Sequence, residues 1–490
     1  MNARRSSSAL IAGILVSAGF LLSPPAPAHA ASWCSGTTFQ DFDNDDHADL
    51  VVARTLPATQ AGVVDVVLSG GGTQTISASS LGFASAAGDA FGASIHIGTI
   101  DTTDNCPDLV IGSPGAAGGG AVYLVRGNGD GVAGTATRVA SPAGAGARFG
   151  TTVGSLDLSL TRVKLIVGAP GVDVGTATDA GGIYVWQLAA DGTTSSTAVP
   201  FTYAAFGATP AANDHLGSVM DTYSWHVTLG VPDRDVGSAV DAGEVVTTSF
   251  VDEFGAIQLD DWARANQNSP GAPGKAETGD HFGASVDADT MVLVGVPGED
   301  IAGRKDVGCV MRYGDFGNHV VGNWKSWDQN TSGIPGSNEA GDRFGAAVHQ
   351  GWVEILVDDD PVAKSVYVVG APGEDVGSVK DAGAITVIAP GVKPAYGLTQ
   401  GSGLPGKAEK GDQVGAALGD LPGEYHGPYY GGDGILVGAP GEDVGTTVDS
   451  GLVMSARGLL PKAKFGWTST TNAGAIVAGA RYGWTLPTAG

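Results

Sequence analysis

Nine residues near the start of the chain, Asp41-Phe-Asp43-Asn-Asp45-Asp46-His47-Ala-Asp49, put carboxylates at positions 1, 3, 5 and 9 of one short loop. Carboxylates at that spacing, with a backbone carbonyl at position 7, can wrap a hard cation in oxygen. A helix-loop-helix cation site would add Glu at position 12 and then a helix. Here position 12 is Val52, and the residues around it read as a strand. The reading without chemistry is an acidic, solvated turn. A second segment, Asp101-Thr-Thr-Asp104-Asn105-Cys106-Pro-Asp108, holds the matching place further on, with Asp108 aligned to Asp49. Its alternation is broken, so Asp101, Asp104 and Asp108 make a weaker candidate second metal set.

A third acidic element is regular. Pro-Gly-Glu-Asp-Val-Gly followed by Asp-Ala-Gly recurs with variation, pairing Asp173 with Asp179, Asp235 with Asp241, Asp300 with Asp306, Asp375 with Asp381 and Asp443 with Asp449. Such loops suit a cation- or sugar-binding rim, but an Asp before Ala-Gly more often caps turn amides, and the structural role is the favoured one. Catalytic patterns are absent: there is no Gly-x-Ser-x-Gly elbow, no His-Glu-x-x-His and no phosphate-cradling Gly loop ending in Lys-Ser/Thr. His47, His96, His215, His226 and His281 read as scattered, without a shared repeat position. Carboxylate pairs are too abundant to single out a glycosidase. Trp262, Trp324 and Trp327 suit sugar stacking or, more readily, packing between structural units.

The elements that must carry these residues are repeats. A segment of the form Leu-Val-Val-Gly-Ala-Pro returns as Leu109–Pro114, Leu165–Pro170, Val227–Pro232, Val292–Pro297, Tyr367–Pro372 and Ile435–Pro440, with a degenerate copy at Leu50–Arg54. An apolar residue followed by Gly precedes six of them: Phe91-Gly92, Phe149-Gly150, Leu216-Gly217, Phe282-Gly283, Phe344-Gly345 and Val414-Gly415. The seventh pair, Tyr482-Gly483, stands near the end of the chain, while the copy at Leu50 lacks one. The two incomplete repeats complement each other, which is the mark of a ring. Short Val/Ile/Leu runs suit strands buried on both faces, and Gly-Ala-Pro stops each strand. With 79 Gly and 25 Pro in 490 residues, turns dominate and long helices are disfavoured. The expected fold is all-β: a seven-bladed β-propeller closed by its N- and C-terminal segments, with no free sheet edge.

The ordered Phe-Gly and Gly-Ala-Pro pairs resemble the FG-GAP repeats of integrin α-subunit propellers and of many secreted bacterial proteins, over about residues 37 to 486. The resemblance implies that the first loop is that family's calcium loop, with Asp41, Asp43, Asp45, Asp49 and the carbonyl of His47 as ligands. Asp46 departs from it, standing where the family prefers Gly; Asp tolerates the left-handed conformation better than most residues. The fold serves adhesion, ligand binding and catalysis alike, so it does not settle function.

Residues 1–30 read as an export signal, with Arg4 and Arg5 before the apolar run Ala9–Leu22 and small residues leading to a cut after Ala30. The apolar run is too short to span a bilayer comfortably. Ser6-Ser7-Ser8 after the Arg pair weighs against twin-arginine export, and Leu486–Gly490 fails as a wall-sorting signal because Ala replaces its Thr. Residues 31–490 then form the propeller, outside the cytoplasm. With 25 basic and 51 acidic residues, net −26, the surface repels nucleic acid and anionic lipid and attracts cations. The expected activity is extracellular recognition or adhesion: binding of a protein or glycan ligand without catalysis. The rivals are a secreted hydrolase using carboxylates on the propeller face, on polysaccharide or phosphoesters, and a structural extracellular protein.

Three cysteines allow three pairings. Cys34 precedes the first acidic loop and Cys106 lies in the matching loop of the next repeat, so that pair pins the N-terminus to its neighbour. Cys309 aligns with Ala384 and Gly182, small positions at a strand start, and reads as a buried thiol. Peptide mapping without reduction should recover a Cys34–Cys106 peptide; a disulfide containing Cys309 would contradict the assignment.

Overall fold

The computed structural model describes Cys34 and residues 40–54, 61–157, 163–194, 197–253, 256–289, 291–314, 319–357, 360–392, 394–421, 434–457 and 480–489. The expected export signal lies outside them. The Val/Ile-rich runs are strands, and those ending in the Gly-Ala-Pro position are buried along their whole length, as in Asp108–Ser113, Val163–Gly168 and Val292–Val296. Seven sheets of three to five strands account for the fold. Within each, consecutive strands pair antiparallel as a meander, except that Gly403–Leu404 adds parallel to Tyr396–Gln400. The one helix among the described residues is a single 3-10 turn, Tyr203–Phe206.

Blade 1 begins at Leu50–Arg54. The first strands of blades 2 to 7 are Ser94–Gly98, Thr152–Asp157, Val219–Tyr223, Ser285–Ala288, Ala347–Val357 and Ala417–Leu421. These first strands abut one another in blade order, and Thr488–Ala489 closes the circle between blades 7 and 2. Apolar side chains gather in seven clusters, each drawn from two adjacent blades. Phe149, for example, packs with Val110 and Val122 of blade 2 and with Val167 and Tyr184 of blade 3. The core is therefore a ring of interfaces, with no single centre.

Glycine makes those interfaces possible. A Cβ built on Gly112, Gly168, Gly230, Gly295, Gly370 or Gly438 would lie 1.9–2.1 Å from the carbonyl oxygen of Gly150, Gly217, Gly283, Gly345, Gly415 or Gly483 respectively, always in the next blade. No side chain fits in that space. The Gly of Gly-Ala-Pro and the Gly after the aromatic residue are thus the two halves of one backbone contact.

The last of these contacts is made by the C-terminal segment. Tyr482 donates its amide to the Ser450 carbonyl (3.0 Å) and joins Leu486 in a core with Leu50 and Val52 of blade 1 and Leu436 and Val453 of blade 7. The segment packs against blade 1, as the incomplete repeats imply, but the expected strand pairing with it is not formed among the described residues. Among the described residues its ladder runs parallel to blade 2, Thr488 opposite His96, and Leu50–Arg54 pairs with Val63–Val67. Pro487 has no amide to offer an antiparallel partner.

Gly295→Ala should cost about 1–3 kcal/mol or more, because its Cβ has nowhere to go. Gly134→Ala, at an exposed site with nothing within 4 Å, should be close to neutral. Paired thermal melts check this, and equal melting temperatures would contradict the seam.

Candidate cation loop and first-strand cluster

The first acidic loop is built around two buried carboxylates. Asp49 is 1% exposed and accepts the Phe42 amide on Oδ2 and the Ser69 amide on Oδ1, both at 2.7 Å. Asp41 is 3% exposed and accepts the amides of Asp45 (3.0 Å) and Asp46 (2.8 Å). These bonds curl the chain so tightly that Asn44 and Asp46 take left-handed conformations, φ 56° and 65°. Asp46 thus adopts the geometry for which Gly is the usual residue.

The curl brings carboxylate oxygens of Asp41, Asp43 and Asp49 within 4.8 Å of one another. Burial above all, and the Asp43 and Asp41 charges behind it, push Asp49 up to about 7. Asp43 is raised by burial and by Asp45 and Asp41, and its Oδ1 is buried with no hydrogen-bond partner. Three converging hard oxygen donors, one of them orphaned, fit a hard cation. Asp45 and His47 sit outside this triad. Ser69 Oγ lies 2.8 Å from both Asp45 carboxylate oxygens, and the His47 amide donates to Asp45 Oδ1 (3.0 Å).

The second loop keeps the frame but not the triad. Asp108 repeats the role of Asp49, accepting the amides of Asp101 (2.7 Å) and Gly127 (3.0 Å). Asp101, however, is ion-paired to Arg126 Nε at 3.0 Å, and Asp104 accepts the Cys106 amide. Among the described residues Asp101, Asp104 and Asp108 do not converge as the first set does. An arginine supplies positive charge here from within the chain. The disulfide Cys34–Cys106 is present in this loop, and Cys309 is a buried thiol whose burial pushes it well up.

The five repeated Asp loops are turn caps. In each, the first carboxylate accepts the amide of the second Asp at 2.9–3.1 Å, and the second Asp is left-handed. The second Asp's carbonyl then receives an amide of the next blade, as His281 donates to Asp241 (3.1 Å). Trp324 stacks on Tyr313 and Trp327 packs on Tyr367, whereas Trp262 is partly exposed.

Histidines do share repeat positions, contrary to the scattered reading. His215 and His281 each precede the apolar-Gly pair, and they flank Asp233, with Nδ1 at 2.7 and 3.4 Å from its two oxygens. His96, Asp221, Asp287 and His349 each stand four residues beyond the Gly of that pair, on the first strands of blades 2, 4, 5 and 6. His96 Nε2 lies 2.8 Å from Ser155 Oγ, and burial lowers the imidazole to about 4. In blades 4 to 6 the shared register builds a cluster. Asp287 Oδ2 lies 3.0 Å from His349 Nδ1, Gln350 Nε2 donates to Asp287 Oδ1 (3.0 Å), and the Ala288 amide donates to Asp221 Oδ2 (2.8 Å). Burial, then the Asp287 charge, push Asp221 up to about 8. Counting from each Gly would have found this set in the sequence.

No family model matches the chain, and no curated protein matches it in sequence. Among solved structures it is similar to the periplasmic gluconolactonase PpgL of Pseudomonas aeruginosa, at 12% identity over 84% of this chain and 92% of that one, with a TM-score of 0.41. It is also similar to mutants of the Synechocystis apocarotenoid oxygenase, at 10% identity over 71% of each chain, TM-score 0.33 for one of them. These proteins are enzymes by name, against the expectation of binding without catalysis. Their activities are not carried over at such distance. No helix among the described residues is long and apolar enough to cross a membrane.

A carboxyl raised by folding stabilises the native state fully below its unfolded pKa and loses that contribution as pH rises through the folded value. For Asp221 the window runs from about 4 to about 8. Asp221→Asn, which stays neutral, should gain melting temperature relative to the parent chain across that window. A constant offset between the two would contradict the buried proton.

Proposed function

We propose that the chain is an exported propeller of FG-GAP type in which calcium bound at the first loop stiffens blade 1, and whose loops recognise an extracellular protein or glycan. The observation that carries the cation is the orphaned, buried Asp43 Oδ1 inside the converging triad with Asp41 and Asp49. Asp41, Asp43 and Asp49 would supply carboxylate oxygens, with Asp45 and the His47 carbonyl completing the shell. Calcium would contribute only charge and geometry here, tying the chain near the disulfide to the blade that closes the ring. Export is supported by the leader-like N-terminus, the disulfide and the acidic surface.

A second reading is a hydrolase acting at the first-strand cluster. Asp221, Asp287 and His349 bring two carboxylates and an imidazole together, and burial with the Asp287 charge pushes Asp221 up to about 8. There Asp221 would be the acid, and the Asp287–His349 pair would orient or accept a proton. The same contacts also tie blades 4, 5 and 6 together, which is a sufficient reason for them to exist.

The experiment is thermal unfolding of the mature protein in EDTA and again with calcium added back. A calcium concentration 100-fold above Kd should stabilise it by about 2.7 kcal/mol. Asp43→Ala combined with Asp45→Ala should lose that response at the loop. An unchanged response in the variant would remove the loop from the account. Hydrolysis of model glycosides or phosphoesters that His349→Ala abolishes would favour the second reading.

A further inference from the structure

Blades 4 to 7 share a turn whose second residue after the strand-ending Pro changes the sign of its charge between blade 4 and the rest: Arg234, against Glu299, Glu374 and Glu442. The backbone there is the same in all four, the carbonyls of these residues accepting the amides of Gly243, Gly308, Gly383 and Gly451 at 2.9–3.0 Å. Facing the variable residue in each blade is a carboxylate 1% exposed, Asp214, Asp280, Asp342 or Asp412. Each of these holds the amide of the residue three before it, at 2.5–2.6 Å.

In blade 4 the arrangement is electrically complete. Arg234 Nη1 donates to Asp214 Oδ2 (2.5 Å) and to the Thr209 carbonyl (3.1 Å), and its guanidinium lies 4.6 Å from the centre of the Tyr203 ring. In blades 5, 6 and 7 a glutamate stands in the arginine's place, so a second carboxylate faces the first. Each glutamate also meets a glutamine from the outer end of the preceding blade. Gln267, Gln329 and Gln400 donate Nε2 to Glu299, Glu374 and Glu442. These glutamines are 2–4% exposed, and the Oε1 of every one is buried without a hydrogen-bond partner, as is Asp412 Oδ1. The same unmet oxygen thus recurs three times, on a carboxamide whose Nε2 already bonds the Glu of the acidic pair.

We propose that these three junctions are hard-cation sites, each taking one divalent ion such as calcium between the Glu carboxylate, the Asp carboxylate and the Gln carbonyl oxygen, the carboxamide turning to present Oε1 where Nε2 now bonds the Glu. The ion takes the role that the Arg234 guanidinium plays in blade 4. An all-oxygen donor set with two acidic groups suits calcium. Burial, followed by the neighbouring carboxylates among the causes that raise them, pushes Glu299 and Glu374 up to about 7, the strain a cation would relieve.

Calcium bound per chain, counted by equilibrium dialysis of the full mature protein with calcium alone as probe, tests this. Glu299→Gln, Glu374→Gln and Glu442→Gln should each lower the count by one. Asp43→Ala should remove a different equivalent, so a failure of the loop and a failure of the junctions are read separately. Glu374→Arg, which copies blade 4, should lose one equivalent yet melt in EDTA no lower than the parent chain. A calcium count that none of the three Glu→Gln substitutions changes would overturn the proposal, and would leave the paired carboxyls sharing protons.

Discussion

The approach of one backbone to another at the blade junctions constrains everything else in this molecule. Six glycine pairs bring consecutive blades to a distance at which a single methyl group would collide with a carbonyl. That contact fixes the spacing of the sheets, and the seven apolar clusters fill what the spacing leaves between them. Removing apolar surface from water drives the assembly; the glycines decide its shape. Because each cluster needs two blades, no blade is stable alone, and the chain must return to its start. Tyr482 and Leu486 make that return by packing against Leu50 and Val52.

A rigid ring has a consequence for charge. Turns at the blade edges carry the acids, and the seams press several of them out of water. A buried carboxylate persists only where amides, a proton or a cation offset its desolvation. The molecule uses different answers at different places. Asp108 is held by amides beside the Arg126–Asp101 pair, and Asp214 faces Arg234. Asp221 is pushed toward its protonated form by burial and by the Asp287 charge. Asp41, Asp43 and Asp49 converge with no positive side chain among them. At the two equivalent acidic loops the source of positive charge differs: Arg126 supplies it in the second, and no side chain of the triad does in the first.

The strand-ending Gly-Ala-Pro copies and the apolar-Gly pairs revealed the blades because their period is set by hard sterics, which leave one residue type available. The ring closure was legible for the same reason: Tyr482-Gly483 lacked a partner that Leu50–Arg54 could supply. The parallel pairing of Thr488 with His96 was not, since it depends on where Pro487 sends the chain in space. Asp41, Asp43 and Asp49 were visible as a set because loop spacing is local. Asp221, Asp287 and His349 were hidden because they lie in different repeats and meet only when the register of three strands is superposed. The role of Arg126 escaped for a related reason: its partner Asp101 lies across a strand pair, and a broken alternation of acids says nothing about a cation arriving from elsewhere.

The most direct test of a cation-held first loop is a crystal structure from calcium-containing solution, with an anomalous difference map. A peak is expected between Asp41, Asp43 and Asp49, with oxygens at about 2.3–2.6 Å, and Asp43 Oδ1 among its ligands. A map without a peak there, and with Asp43 Oδ1 bonded to a protein donor or a water, would contradict a cation-held loop.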